Sequence, residues 1–134
     1  MTTQEFIDLH KITATATRAD SNPSMPDFDG DHWRVTLCRP IPGRQCSALS
    51  RMPLHFSKGY GHNGAEPTAA EVLNCLRSEA WGADELFETW ACDRGFDPDS
   101  RSAEKIYNAV RRQTAKLSKF LGETFDDFMQ TEEA

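Results

Sequence analysis

Between Ala103 and Leu121, side chains suited to an interior return every three or four positions: Ala103, Ile106, Tyr107, Val110, Thr114, Leu117 and Leu121. That is the period of an α-helix with one buried face. A seam this long needs a second layer to cover it, so it constrains what a chain of 134 residues can build more than any other feature. Asp97 as cap, Pro98 at the first helical position, Asp99 at the positive end of the dipole and Gly122 beyond the last turn predict a helix over 98–121. On a wheel of about 100° per residue, Arg101, Lys105, Arg112, Lys116 and Lys119 fall within about 40° of the pole opposite Ala103, and Arg111 lies to one side. Burying the seam therefore turns a cationic row to solvent. The plain reading of that row is a solvated face, welcome near the carbonyl end of the helix. The functional reading is a docking stripe for an acidic protein surface or a phosphate backbone.

The charge around this helix is unevenly placed. The whole chain carries −6, but residues 67–100 hold eight acidic and two basic side chains, residues 101–120 one acidic and six basic, and residues 121–134 five acidic and none basic. A basic helix is thus bracketed by two acidic segments, and a partner would meet that pattern rather than the total. Asp84, Glu85 and Glu88, in the acidic stretch Glu71–Asp99, are the candidate acidic contacts. Arg101, Lys105, Arg112, Lys116 and Lys119 are the candidate basic ones.

The rest of the chain supplies the covering layer. "ITATATR" (Ile12–Arg18) alternates, with Ile12, Ala14 and Ala16 on one side. "HWRVTLCR" places Trp33, Val35 and Leu37 inward, and "ALSRMPLHF" places Met52, Leu54 and Phe56 together, with Pro53 making it an edge strand. Trp33–Arg39 and Ala48–Phe56 read as a hairpin. Thr2 with Glu5 fits a capping box for one short helical turn. Thr68 with Glu71 fits another, for a helix striped by Val72, Leu73, Leu76 and Ala80 and ended by Gly82. "ADELFETWACDRG" reads as a further helix closed by Gly95, and "TFDDFM" as a short one folding Phe125, Phe128 and Met129 back. The expected fold is α+β in a single domain, 1–134. A small antiparallel sheet of about three strands in residues 1–66 packs against three to four helices in residues 67–134.

Several motifs dissolve on inspection. Gly59, Gly61 and Gly64 match the letters of a dinucleotide fingerprint, but no second parallel strand follows to make the βαβ unit it needs. Asp27, Asp29 and Asp31 alternate, yet Gly30 precedes the third acid and Cys38 stands where a calcium loop needs its Glu. His32, His55 and His62 with Cys38 and Cys46 match no common zinc spacing. Asp93, Asp97 and Asp99 fit helix-end chemistry better than an acid–base pair. No cofactor, metal or catalytic set is expected. No apolar run approaches the roughly 20 residues of a membrane span, and "MTTQEFIDLHK" lacks the pattern of a secretory signal. A cytoplasmic location with reduced thiols at Cys38, Cys46, Cys75 and Cys92 is expected.

Residues 55–122 resemble a group of small proteins encoded by phages, prophages and other mobile elements. The likeness lies in Phe56, Val72, Leu73, Cys75, Leu76, Trp90, Gly95, Asp97, Asp99, Ser100, Arg101, Ala103, Phe120, Leu121 and Gly122. No activity and no ligand residue comes with the resemblance. It implies a non-enzymatic protein that binds and inhibits a host protein in the bacterial cytoplasm, of the anti-defence or anti-CRISPR type. The implied target is a CRISPR effector or another nucleic-acid-handling complex. The alternative is a nucleic-acid-binding accessory protein of phage recombination or replication, using the basic face of helix 98–121. Either would act as a monomer or homodimer.

Overall fold

The structure, a computed structural model, describes residues 1–19, 31–41, 44–56 and 67–133, with side chains for 1–15, 35–40 and 67–133. The described elements run α1 (Thr3–His10), β1 (Thr13–Ala19), β2 (Asp31–Ile41), β3 (Arg44–Phe56), α2 (Ala69–Ala83), α3 (Phe87–Asp93), α4 (Arg101–Leu121), a 3-10 turn (Gly122–Thr124) and α5 (Phe125–Met129). The architecture is α+β. The antiparallel sheet has the order β1-β2-β3, with Ala14 opposite Leu37 and Val35 opposite Met52, and the β2–β3 register shifts between Val35 and Leu37. Ile12, Val35 and Leu37 are buried as their alternation requires. The glycine loop Gly59–Gly64, the Asp27–Asp29 turn, His62, and the side chains of His32, Trp33, Cys46, Met52, Leu54, His55 and Phe56 lie outside what is described.

Both capping boxes form. Thr2 Oγ1 and Thr68 Oγ1 accept from the backbone N–H of Glu5 and Glu71, while each glutamate side chain accepts in return from the cap N–H. The first box starts a helix of 8 residues rather than a single turn, because Phe6 and Ile7 give it a buried face. Two boundaries differ from expectation. α2 runs through Gly82 to Ala83, since Gly82 serves as a packing position rather than a stop: a Cβ there would collide with Arg94 Nη2 and press on Trp90. α4 starts at Arg101, not at residue 98. Asp97 instead turns back on itself to accept from the Asp99 N–H, and Ser100 takes the cap, its Oγ accepting from Ala103 N–H. Gly95 (φ 75°) and Gly122 (φ 55°) close α3 and α4 in the conformation that favours glycine.

α4 spans two interiors, and this is the main departure from a single shared core. Its C-terminal half (Leu117, Phe120, Leu121) packs with Phe6 and Ile7 of α1, Val35 and Leu37 of β2, the α2 stripe and Phe128 of α5. Its N-terminal half (Ile106, Tyr107, Ala109, Val110) packs with Ala83, Trp90 and Ala91 instead. Ile106 and Val110 are therefore covered by α3 and the end of α2, while Leu117 lies in the interior shared with the sheet, α1, α2 and α5. Arg39 of β2 ties the lower end: its Nε donates to the Phe120 carbonyl (2.7 Å), and its guanidinium lies 5.7 Å from the Phe120 ring. A cation on the last carbonyls of α4 also suits the helix dipole.

The two termini meet over a buried arginine. Thr3 N–H donates to the Glu132 carbonyl (3.0 Å) and Glu132 N–H to the Met1 carbonyl (3.1 Å). Beneath them Arg77 of α2 is buried. Its Nη1 donates to Thr3 Oγ1 (2.7 Å) and Thr131 Oγ1 (2.6 Å), its Nη2 donates to Asn74 Oδ1 (2.9 Å), and its guanidinium sits 5.8 Å from the Phe128 ring. The Thr3 hydroxyl in turn donates a hydrogen bond to Asn74 Oδ1, and the Thr131 hydroxyl to the Phe128 carbonyl. The charge is thus dispersed over hydroxyl and amide dipoles. Removing the guanidinium would leave these groups unpaired around a void, so Arg77→Ala should lower stability by about 2–4 kcal/mol in urea titration. A loss near zero would contradict the hub role.

Candidate interaction surfaces

The cationic row stands where the seam requires it. Arg101, Lys105, Arg112, Lys116 and Lys119 are all exposed, and none makes an ion pair among the described residues. Arg111, to one side, lays its guanidinium 5.6 Å from the Tyr107 ring. The row covers 18 residue steps, roughly 27 Å of helix. Carboxylates close both of its ends: Asp97 and Asp99 precede Arg101, and Glu123, Asp126 and Asp127 follow Lys119.

The acidic candidates are folded into one corner, where α2 turns into α3. Asp84 caps α2, Glu85 N–H donates back to the Gly82 carbonyl, Leu86 caps α3 without a side-chain bond, and Glu88 sits in the first turn of α3. Asp84 and Glu88 are exposed, and Glu85 is half-buried and engaged within the chain. Its Oε2 lies 3.8 Å from Arg94 Nη1, and its carbonyl accepts from the Tyr107 hydroxyl of α4. That pairing anchors the corner to the inner side of α4. Trp90 reinforces it, with ring centroids 5.3 Å from Tyr107 and 5.4 Å from Phe96. The Arg94 guanidinium sits 5.0 Å from the Trp90 ring and closes the back of the corner over Gly82.

Composition and charge did not single out the apolar part of this corner. Leu86 is 79% exposed and Trp81 59%, the first among carboxylates at the head of α3 and the second one turn back on α2. The signal was present in the sequence: Leu86 stands outside the stripe of either helix. Met1 and Leu9 are also exposed and line a groove of ≈ 330 Å³ between α1 and α5 with Phe6, His10, Asp127 and Gln130. That groove has mixed charge at its rim and no continuity with the corner's carboxylates.

Behind the corner lies a carboxyl that sequence reasoning passed over. Glu79 Oε2 is shut off from solvent and has no hydrogen-bond partner among the described residues, and the buried Cys75 Sγ lies 4.0 Å from Oε1. Burial pushes Glu79 up to about 7, with Arg94 pulling the other way, and burial pushes the Cys75 thiol up as well. Neither Cys75 nor Cys92 is joined in a disulfide, whereas Cys38 is disulfide-bonded, which corrects the expectation of a reduced thiol at that position. Among the described residues no cluster of His, Cys, Asp or Glu is arranged to hold a metal ion, and no helix is long and apolar enough to cross a membrane.

Against known protein families, characterised proteins and solved structures, the chain has no match. The surfaces themselves therefore have to carry the functional reading.

The Glu79 carboxyl yields a signed pH dependence. Its folded pKa lies above the value of 4.5 of an ordinary glutamate, so the folded state holds a proton that the unfolded chain releases. The stability it contributes is fully present below about pH 4.5 and is lost as pH rises to about 7, by on the order of 2–3 kcal/mol. Glu79→Gln should flatten that fall in denaturation curves taken across the interval. An unchanged slope would show that the carboxyl is not buried as described.

Proposed function

We propose that the protein is a non-enzymatic binding protein that docks the α2–α3 corner onto a basic surface of a host protein, as an inhibitor carried by a phage or other mobile element would. The observation that carries this reading is the exposure of Leu86 and Trp81 on a corner that also presents Asp84 and Glu88. Leaving a leucine and a tryptophan in water forgoes about 1.5–3 kcal/mol each, so a partner that buried them would gain a compact apolar anchor. The carboxylates around them supply steering toward positive charge and specificity of approach. Positive surfaces of this kind belong to proteins that grip phosphate backbones. The resemblance over residues 55–122 points to the same class, a CRISPR effector or a comparable nucleic-acid-handling complex in the cytoplasm of a bacterial host.

A second reading follows from the unpaired row on α4: direct contact with nucleic acid, as an accessory of phage recombination or replication. It ranks second because the row is finite. A phosphate backbone running past its roughly 27 Å would meet Asp97 and Asp99 at one end and Glu123, Asp126 and Asp127 at the other, within a Debye length of about 8–10 Å. A bounded patch on a protein has no such difficulty.

Two measurements separate these readings. Affinity capture from a bacterial host, followed by mass spectrometry, should retain a nucleic-acid-handling protein on the native chain. A Leu86→Asp/Glu88→Lys variant should lose it by at least about tenfold. Equal retention would reject the corner as the contact. Titration with single- and double-stranded DNA at low and high salt should show no binding that depends on the row. Tight, steeply salt-sensitive binding abolished by Arg112→Glu/Lys116→Glu would install the second reading in its place.

A further inference from the structure

The outward side of α4 and the α2–α3 corner are complementary in charge, and the fold prevents them from meeting within one copy. The corner is tied to the inner side of α4 by the Tyr107 hydroxyl on the Glu85 carbonyl and by Trp90 against the Tyr107 ring. The row lies on the opposite pole of the same helix, exposed and without an ion pair among the described residues. With the seam buried between them, no rotation of α4 brings the two together. A second molecule has no such restriction. We propose that the cationic face of α4 is covered in solution by the acidic α2–α3 corner of a second copy of this chain.

Three observations support the choice of occupant. The signs are opposite: the corner presents the exposed carboxylates Asp84 and Glu88, and residues 101–120 carry a net +5. The corner offers more than charge, because Leu86, at 79% exposure, projects from the head of α3 beside Glu88. The row in turn has an apolar floor, since the alkyl stems of Arg112 and Lys116 flank exposed Ala115, and such stems cover apolar groups while their charged ends stay in water. The contact is therefore an array of exposed pairs around a small apolar centre, weak and sensitive to salt. It occupies the corner assigned above to the host target, so self-association and target binding exclude one another. It does not depend on that assignment, because both complementary surfaces belong to this chain.

The test is the mass of the full chain in solution, by light scattering and sedimentation velocity. At about 50 mM salt the 15.1 kDa chain should show a mass of two or more copies that falls to the monomer at about 500 mM. Lys105→Glu/Arg112→Glu/Lys116→Glu, which leaves three carboxylates against Arg101 and Lys119 and so makes the row acidic, and Asp84→Lys/Glu88→Lys, which makes the corner basic, should each be monomeric at low salt. An equimolar mixture of the two should recover the associated mass, because each reversed surface then faces its complement. A native chain that stays monomeric at low salt would overturn the proposal. So would association that ignores salt, or a mixture that fails to associate while circular dichroism shows both variants folded. None of these outcomes bears on capture of a host protein by the native chain, so the target reading stands or falls separately.

Discussion

The buried seam of α4 is the constraint on which the rest of the structure depends. The helix has two different surroundings along its length: the sheet, α1, α2 and α5 cover Leu117, Phe120 and Leu121, and α3 with the end of α2 covers Ile106, Tyr107 and Val110. Once those residues are inside, the helical period leaves Arg101, Lys105, Arg112, Lys116 and Lys119 no position except the outside. The location of the acidic corner follows from the same seam, because Tyr107 reaches from it to hold Glu85. Fold and surface electrostatics are therefore one problem in this protein. An interior requirement at every third or fourth position determines what a partner meets.

Three arginines fasten the assembly through hydrogen bonds and ring contacts, and Arg94 adds an ion pair with Glu85. Arg39 joins β2 to the last carbonyls of α4, Arg77 draws both termini onto α2, and Arg94 bridges α3 to α2 across Gly82. All three also lie against an aromatic ring, Phe120, Phe128 and Trp90 respectively. Planar, weakly hydrated guanidinium groups tolerate such half-apolar sites where lysine would not. Among the described residues the cationic row of α4 takes no part in these contacts, which suits it to be an interaction surface.

The parts of this arrangement that depend on local periodicity were legible in the sequence. The capping boxes at Thr2 and Thr68, the stop at Gly122, the inward Val35 and Leu37, the return of Phe128 and the outward row on α4 all follow from spacing. What depends on distant neighbours was not. Gly82 looks like a helix stop until Arg94 is known to lie across it, and then it is a packing position. Asp97 and Pro98 look like the start of α4, yet Ser100 two residues later completes the cap with Ala103, and a sequence offering both gives no way to choose. Nothing in the local sequence marks Arg77, between Leu76 and Ser78, as buried. Only the meeting of residues 3, 74 and 131 makes a buried site for it. Glu79 and Glu85 belong to the same class: acidic residues whose fate is decided by the placement of Arg94 and Tyr107. The candidate surfaces were accordingly half legible: the row follows from spacing and Trp81 stands out as a spare aromatic, while the exposure of Leu86 beside the carboxylates emerges in the fold.

The account rests on α4 being held on its inner face by both interiors at once, which amide hydrogen exchange tests most directly. The slowest amides should lie from Val110 to Leu117 of α4 and in the Val72–Leu76 segment of α2, exchanging together at the rate of global unfolding. Exchange through the middle of α4 as fast as in its frayed ends, while the sheet and α2 stay protected, would mean that the seam is not buried. The cationic row would then have no fixed face to present.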